Sequence, residues 1–469
     1  MRILSLDQGT TSTRLLAAGE AGLQVLGQLR HKTTYPQQAW VEQDATEILS
    51  NCLKLLADVG PADAIGLANQ GESCLAWDAL TGEPLSPIIV WQDRRTLADL
   101  SAMEGQGLAS EVKARSGLPL DPYFSAAKLG WLLRERPAVA KAHRLGRLRL
   151  GTSDAFLLDQ MTGTFATDVA TASRSGLMNL ESCTWDASLC QMFGVPIRCL
   201  PEIRGNLTGF GQVGGIPITA SIVDQQAALY GHGCRLRGDT KITFGTGAFA
   251  LAVSGTAVPD LTNLRGLLPT VAWDLGHGPV YALDGGVQDA GSAVDWALRA
   301  GIATGLEDFD NFTAAPAIER GLFFLPAFSG LGAPHWDRTA APTLIGLTPE
   351  MTRRDMCQAL LEGIAFQSAA LVTELGQLLP FSGPISIDGG LSENRYFVSF
   401  LSQLCQREIA VSASPERTAL GAALLAARAL GQTLPDDLAK PVIVMPGPTM
   451  VSWDARFAEG IARSHNWRN

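Results

Sequence analysis

Leu6-Asp7-Gln8-Gly9-Thr10-Thr11-Ser12-Thr13-Arg14 joins two short apolar runs, residues 2–6 and 15–18, and a third run follows at 23–29. Runs this short, broken by Gly, Asp, Ser and Thr, predict strand, turn, strand, turn, strand: an antiparallel meander and not a βαβ opening. Gly9 lets the main chain approach a bulky anion, and the hydroxyls of Thr10, Thr11 and Ser12 add donors to the backbone N–H groups. Asp7 at the strand end can hold Mg2+ through water, because that ion keeps much of its hydration shell. Arg14 can balance charge on a transferring phosphoryl group. A plain hairpin turn uses the same residue types, so this stretch alone leaves both readings open.

The theme recurs in the second half. Lys241-Ile242-Thr243-Phe244 runs into Gly245-Thr246-Gly247, and residues 249–253 follow as another strand. Ile385-Ser386-Ile387 opens onto Asp388-Gly389-Gly390, with Asn394 at a helix start. Glycines facing a helix N-terminus suit a nucleotide phosphate, although an ordinary strand-to-helix turn looks the same. Helical patterns at 42–59, 96–103, from about 291, 353–379 and 418–430, with a buried strand at 64–68 and a hairpin near 276–279, complete the pattern. The expectation is an α/β protein of two domains, residues 1–230 and 231–469, facing a cleft that holds the site.

Composition removes several classes. The 469 residues are 46% hydrophobic and 17% charged, which is globular, and a chain of this length needs neither disulfide nor metal to hold its fold. Net charge is −10 with no basic stripe, so nucleic acid is not expected as a partner. The eight cysteines include no Cys-x-x-Cys pair, and Asp7 comes too early for a signal peptide. The longest apolar stretch, 418–430, is too short to cross a bilayer. A cytoplasmic protein that is not membrane-bound is expected. No Gly-x-x-x-x-Gly-Lys-[Ser/Thr] loop is present, no Gly-x-Gly-x-x-Gly opens a βαβ unit, and no His-Glu-x-x-His or Cys/His cluster points to zinc.

Taken in order, the three turns resemble the actin-like ATPase superfamily, and within it the FGGY carbohydrate kinases, above all their glycerol kinase branch. The resemblance runs nearly end to end. It is carried by Leu6-Asp7-Gln8-Gly9-Thr10-Thr11-Ser12, Ile89-Val90-Trp91-Gln92-Asp93-Arg94-Arg95-Thr96, Gly117-Leu118-Pro119-Leu120-Asp121-Pro122-Tyr123-Phe124-Ser125, Asp224-Gln225-Gln226-Ala227-Ala228 and Pro326-Ala327-Phe328-Ser329-Gly330-Leu331-Gly332-Ala333-Pro334. It implies two ribonuclease H-like domains around a central cleft, and ATP- and Mg2+-dependent phosphorylation of a small polyol or sugar. Glycerol, giving glycerol 3-phosphate, stands first. By position Asp224 is the general base, and Glu72, Trp91, Tyr123, Gln225 and Phe249 join it in the substrate pocket. Thr10, Thr11, Ser12, Arg14, Thr246, Gly291, Asp295, Gly390 and Asn394 match nucleotide contacts, with Asp295 standing where the family usually has Gln. A homo-oligomer is compatible with this pattern.

One departure bears on substrate. The family usually reads Asn-Gln-Arg-Glu-Thr where this chain has Asn69-Gln70-Gly71-Glu72-Ser73. Losing that charged donor would cost on the order of 1.5–3 kcal/mol, roughly ten- to a hundredfold in kcat/KM for glycerol. Either a neighbour or water replaces the arginine, or the space admits a tetritol, a tetrulose or a xylulose-like ketose. On the first alternative, Gly71→Arg should improve glycerol turnover. The fold alone would also permit a non-catalytic, nucleotide-dependent regulator. Between Phe210 and Ile216 only five residues remain, too few for the loop through which relatives answer fructose bisphosphate.

Overall fold

The computed structural model describes residues 1–20, 22–435, 440–448 and 451–468. Its first large sheet is built from the opening meander. The strands Ile3–Gln8, Ser12–Gly19 and Gly22–Arg30 pair antiparallel in sequence, and Ala64–Asn69 and then Ile216–Val223 add parallel on the other side of Ile3–Gln8. All six residues of Ile3–Gln8 are buried, because both faces of the sheet are covered. Leu4 and Leu6 share one core with Ile48, Cys52 and Phe156 of the helices Ala45–Leu56 and Ser153–Thr162. Ile3 lies on the opposite face and packs with Ala422, Ala423 and Ala426 of the helix Arg417–Ala429.

The second large sheet repeats this plan. Thr240–Phe244, Ala248–Gly255 and Pro279–Val287 form an antiparallel meander, and Ile385–Gly389 and Ile409–Val411 add parallel beside Thr240–Phe244. The predicted meanders, the strand at 64–68 and the late helix are all found, within a few residues of their expected ends. A smaller five-stranded sheet that includes Cys74–Asp78 and Leu148–Thr152 lies in the first half and has no counterpart in the sequence reading.

Two helices cross where the halves meet. Asp224–Gly231 follows directly from the last parallel strand of the first sheet and packs against Arg417–Ala429. A Cβ on Gly421 would lie 1.8 Å from the Ala227 carbonyl oxygen, and one on Gly231 would lie 1.9 Å from that of Arg417. Only glycine permits backbones this close. The late helix therefore rests on the first sheet although its sequence belongs to the second half.

The helix Arg353–Leu378 is long and apolar enough to cross a membrane by length and composition, but 83% of its apolar window is buried as a core helix. The short loop after Phe210 is a tight hairpin between Gln212–Val213 and Ile216–Val223. Its turn residues Gly214 and Gly215 have φ of 58° and 84°, the left-handed pair such a hairpin needs.

Candidate active site

Parallel strands bring their carboxyl ends into line, and that alignment builds the site. Gln8 and Val223 both stand in register with Asn69. The residues that follow, Gly9-Thr10, Gly71-Glu72 and Asp224-Gln225, therefore emerge side by side. In the second sheet Phe244 is in register with Gly389, which aligns Gly245-Thr246-Gly247 with Gly389-Gly390. Gly389 has φ 89°, and a Cβ there would lie 2.2 Å from the Phe244 carbonyl oxygen, so no other residue fits that turn. The crevice outside the carboxyl ends of parallel strands is a recurrent ligand position in α/β folds.

Between the two sets of turns lies a cavity of about 160 Å3. Every substrate-pocket residue expected from the sequence lines it: Glu72, Trp91, Tyr123, Asp224, Gln225 and Phe249, joined by Thr10 and Thr246. Trp91 is the centre of an aromatic wall, edge-on to Tyr123 at 5.7 Å and to Phe249 at 6.0 Å. Its indole Nε1 donates to Thr10 Oγ1 at 3.1 Å. Behind the wall the fully buried Lys128 spends its three protons on the carbonyls of Val90, Trp91 and Tyr123, at 3.0, 3.2 and 3.2 Å.

Asp224 is well suited to accept a proton. Burial, followed by the like charges of Glu72 and Asp7, lifts its carboxyl to about 7, against the hydrogen bond from the Gln225 N–H and the opposite charge of Lys241. A base titrating near neutrality is the most effective at neutral pH. Gln225 is fixed in turn by Lys241, whose Nζ donates to Gln225 Oε1 at 2.5 Å and to Thr243 Oγ1 at 2.9 Å. Glu72 sits at φ 56°, a conformation uncommon for a non-glycine residue and frequent where function dictates geometry. Burial raises its carboxyl, against the pull of the Arg174 guanidinium.

The remaining predicted residues are placed less uniformly. Asp7 stands opposite Arg14 across the first hairpin, and their side chains form a 2.7 Å ion pair. Arg14 also reaches Glu416 at 2.7 Å, so its guanidinium lies between two carboxylates. Asp7 Oδ1 makes no hydrogen bond among the described residues, leaving one oxygen for water bound to a metal. Ser12 accepts a bond from Gln28, and Thr11 is exposed. The N–H of Gly291 donates to the Gly245 carbonyl at 3.0 Å, which docks the start of the helix Gly291–Arg299 on the second turn. Asp295 and Gly390 are exposed. Asn394 caps the helix Arg395–Cys405 through the Phe397 N–H at 2.8 Å and ties down the Phe309 carbonyl at 2.9 Å. Among the described residues no cluster of three His, Cys, Asp or Glu side chains forms a metal cage. Mg2+ needs none, since one or two carboxylates, water and phosphate oxygens are its usual shell.

Sequence reasoning missed Arg174, Asp284, Val223, Lys128 and Lys241. Each charged one is a lone ionic residue inside an otherwise buried run, and that was the available signal. Val223 qualifies the meaning of Gly71. Gly71 lines the cavity, and a Cβ there would lie 3.0 Å from Val223 Cγ2, a close contact that a side chain at position 71 has to accommodate.

Residues 2–231 match the N-terminal domain of the FGGY family of carbohydrate kinases, and residues 240–430 match its C-terminal domain. The chain is 40% identical over 450 residues to the glycerol kinase of Trichlorobacter lovleyi, covering 92% of this chain and 90% of that one. It is 38% identical over 447 residues to that of Rippkaea orientalis, covering 90% and 89%. Among solved structures, Plasmodium falciparum glycerol kinase with ADP superposes with a TM-score of 0.88 at 30% identity, covering 99% of this chain and 98% of that one. A xylulose kinase from Lactobacillus acidophilus shares the fold, with a TM-score of 0.85 at 20% identity over 99% of this chain and 96% of that one.

Proposed function

Because the chain belongs to the FGGY family of carbohydrate kinases, we propose that it transfers the terminal phosphoryl group of ATP to a terminal hydroxyl of glycerol. The observation that carries this reading is Asp224, a carboxylate titrating near 7 in a small polar and aromatic cavity between the two sets of turns. Asp224 accepts the proton of the attacking hydroxyl as the bond to phosphorus forms, and Glu72 and Gln225 hold the other hydroxyls. Transfer of this kind depends mainly on positioning and charge stabilisation, which the fixed side chains and turn N–H groups supply. Residues 1–230 carry most of the polyol contacts and 231–469 most of the nucleotide contacts, with Thr10, Thr11, Ser12, Arg14, Thr246, Gly291, Asp295, Gly390 and Asn394 on the nucleotide side.

Mg2+ would be held through water beside Asp7, whose Oδ1 makes no hydrogen bond among the described residues. When bound it neutralises charge on the phosphate oxygens. The eight free cysteines are in keeping with a reducing, cytoplasmic setting. A larger ketose or tetritol is the alternative that Gly71, which lines the cavity, keeps open. The test is ADP release with glycerol, tetritols, tetruloses and pentuloses, with and without chelator. Glycerol should lead, with activity lost on chelation and restored by Mg2+; a tetrulose or pentulose preferred over glycerol would overturn the reading.

A further inference from the structure

Arg174 and Asp284 approach the cavity from opposite sides. Arg174 ends the short helix Val169–Ser173, whose start is capped by Asp168 through the Thr171 N–H, and Asp284 belongs to the strand Pro279–Val287 of the second sheet. The guanidinium is clamped between two acids, its Nε 2.7 Å from Glu72 Oε1 and its Nη2 2.9 Å from Asp284 Oδ2. Both residues are almost wholly buried and both line the cavity. Burial opposes the charge on Arg174, yet Asp284 and Glu72 together hold the guanidinium above its ordinary range.

This network is incomplete by one donor and one acceptor. Arg174 Nη1 and Asp284 Oδ1 are buried without a hydrogen-bond partner. Buried polar groups are nearly always paired, so two orphans in one ion pair that lines a cavity point to a ligand group able to answer both. Such a group must accept from a guanidinium and donate to a carboxylate. Among the oxygens of sugars and polyols only a hydroxyl does both.

We infer that Arg174 and Asp284 form a hydroxyl subsite of the substrate cavity, holding a non-reacting hydroxyl of the polyol and standing in for the side-chain donor that position 71 lacks. The inference rests on the polyol kinase reading above. A ketone oxygen in this subsite accepts from Arg174 but leaves Asp284 without a donor, and a carboxylate meets Asp284 as a like charge. The subsite therefore selects an alcohol over a ketone or an acid at that carbon, since a site built for a hydroxyl rejects the analogue that cannot complete its bonds.

The experiment measures kcat/KM for glycerol, 1,2-propanediol, 1,3-propanediol and dihydroxyacetone in wild type, Asp284→Ala, Asp284→Asn and Arg174→Lys. Nucleotide binding and unfolding temperature check that each variant is folded. Wild type should lose roughly ten- to a hundredfold on the analogue whose missing or oxidised hydroxyl belongs to the subsite. In Asp284→Ala that ratio should collapse to within a few-fold, because glycerol then loses the bond the analogue already lacks, and Asp284→Asn should fall between. An unchanged ratio in folded Asp284 variants that still phosphorylate glycerol overturns the subsite alone. If the Asp284 variants do not fold, Arg174→Lys decides: it keeps a cation between the acids, and the ratio must still narrow. Wild type inactive on all four compounds overturns the polyol kinase reading and the subsite with it.

Discussion

Trp91 Nε1 and Thr10 Oγ1 are 3.1 Å apart, so the aromatic wall of the cavity is hydrogen-bonded to the first of the glycine turns. The proposed polyol wall and the proposed phosphate turn thus share a bond.

Trp91→Phe keeps a ring against Tyr123 and Phe249 but removes the N–H. A hydrogen bond of this kind contributes about 0.5–1.5 kcal/mol net, so kcat/KM should fall roughly two- to tenfold. Loss in the wall alone would raise KM for glycerol only. Coupling through Thr10 predicts weaker ATP as well, and unchanged ATP kinetics in Trp91→Phe would show that the bond transmits nothing.

Asp224 gives a prediction in two parts. Its carboxyl, raised to about 7 by burial and by Glu72 and Asp7, must be ionised to act as base, so kcat/KM should rise with pH along a limb centred near 7. Asp224→Asn should lower kcat by roughly 10²–10⁴-fold. Stability should move the other way. A carboxyl raised in the folded state stabilises below its ordinary value of 3.8 and loses that contribution as pH climbs through about 7. Asp224→Asn, neutral at every pH, should therefore melt above wild type at pH 8, with the gap closing toward pH 4. A variant that melts lower at pH 8 would remove the like-charge account.

Legibility in the sequence followed local signal. The turn Asp7–Arg14 and its echo at Gly245-Thr246-Gly247 announced the two meanders, because short apolar runs broken by glycine and hydroxyl residues have few other solutions. Trp91, Tyr123, Asp224 and Gln225 were legible through long ordered motifs, Glu72 and Phe249 through the family resemblance alone, and the structure gathers all six at one cavity. What stayed hidden depends on distance along the chain. Arg174 meets Asp284 across a separation of 110 positions in sequence, and Val223 meets Gly71 only because two parallel strands end in register. Glu416, the second partner of Arg14, could not be foreseen because it stands just before a helix some four hundred residues later.

Lys128 tests the support behind the wall. Lys128→Met is similar in length but leaves the carbonyls of Val90, Trp91 and Tyr123 without their shared donor. Unsatisfied buried acceptors should cost on the order of 2–4 kcal/mol, read from chemical denaturation. Because two of the three carbonyls belong to wall residues, KM for glycerol should rise in the fraction that remains folded. Wild-type stability in Lys128→Met would mean that water replaces the ammonium group.

Gly71 and Val223 give the last prediction. From the sequence alone, Gly71→Arg looks like the repair of a missing donor and should help glycerol. The structure sets a constraint on that expectation, because a Cβ at position 71 would stand 3.0 Å from Val223 Cγ2, and Val223 is buried at the end of the strand that leads into Asp224. An arginine there presses its Cβ on Val223, and a shift of Val223 is passed to Asp224, the next residue and the proposed base. Gly71→Arg alone should therefore lower kcat/KM for glycerol. Pairing it with Val223→Gly frees the volume, and the double variant should outperform Gly71→Arg by up to the roughly 1.5–3 kcal/mol that a charged hydrogen bond supplies, about ten- to a hundredfold. Val223→Gly alone is the control for the lost valine packing, and the three variants with wild type form a double-mutant cycle in which the coupling should be favourable. Improved glycerol kinetics in Gly71→Arg with Val223 intact would show that the two side chains do not compete for one space.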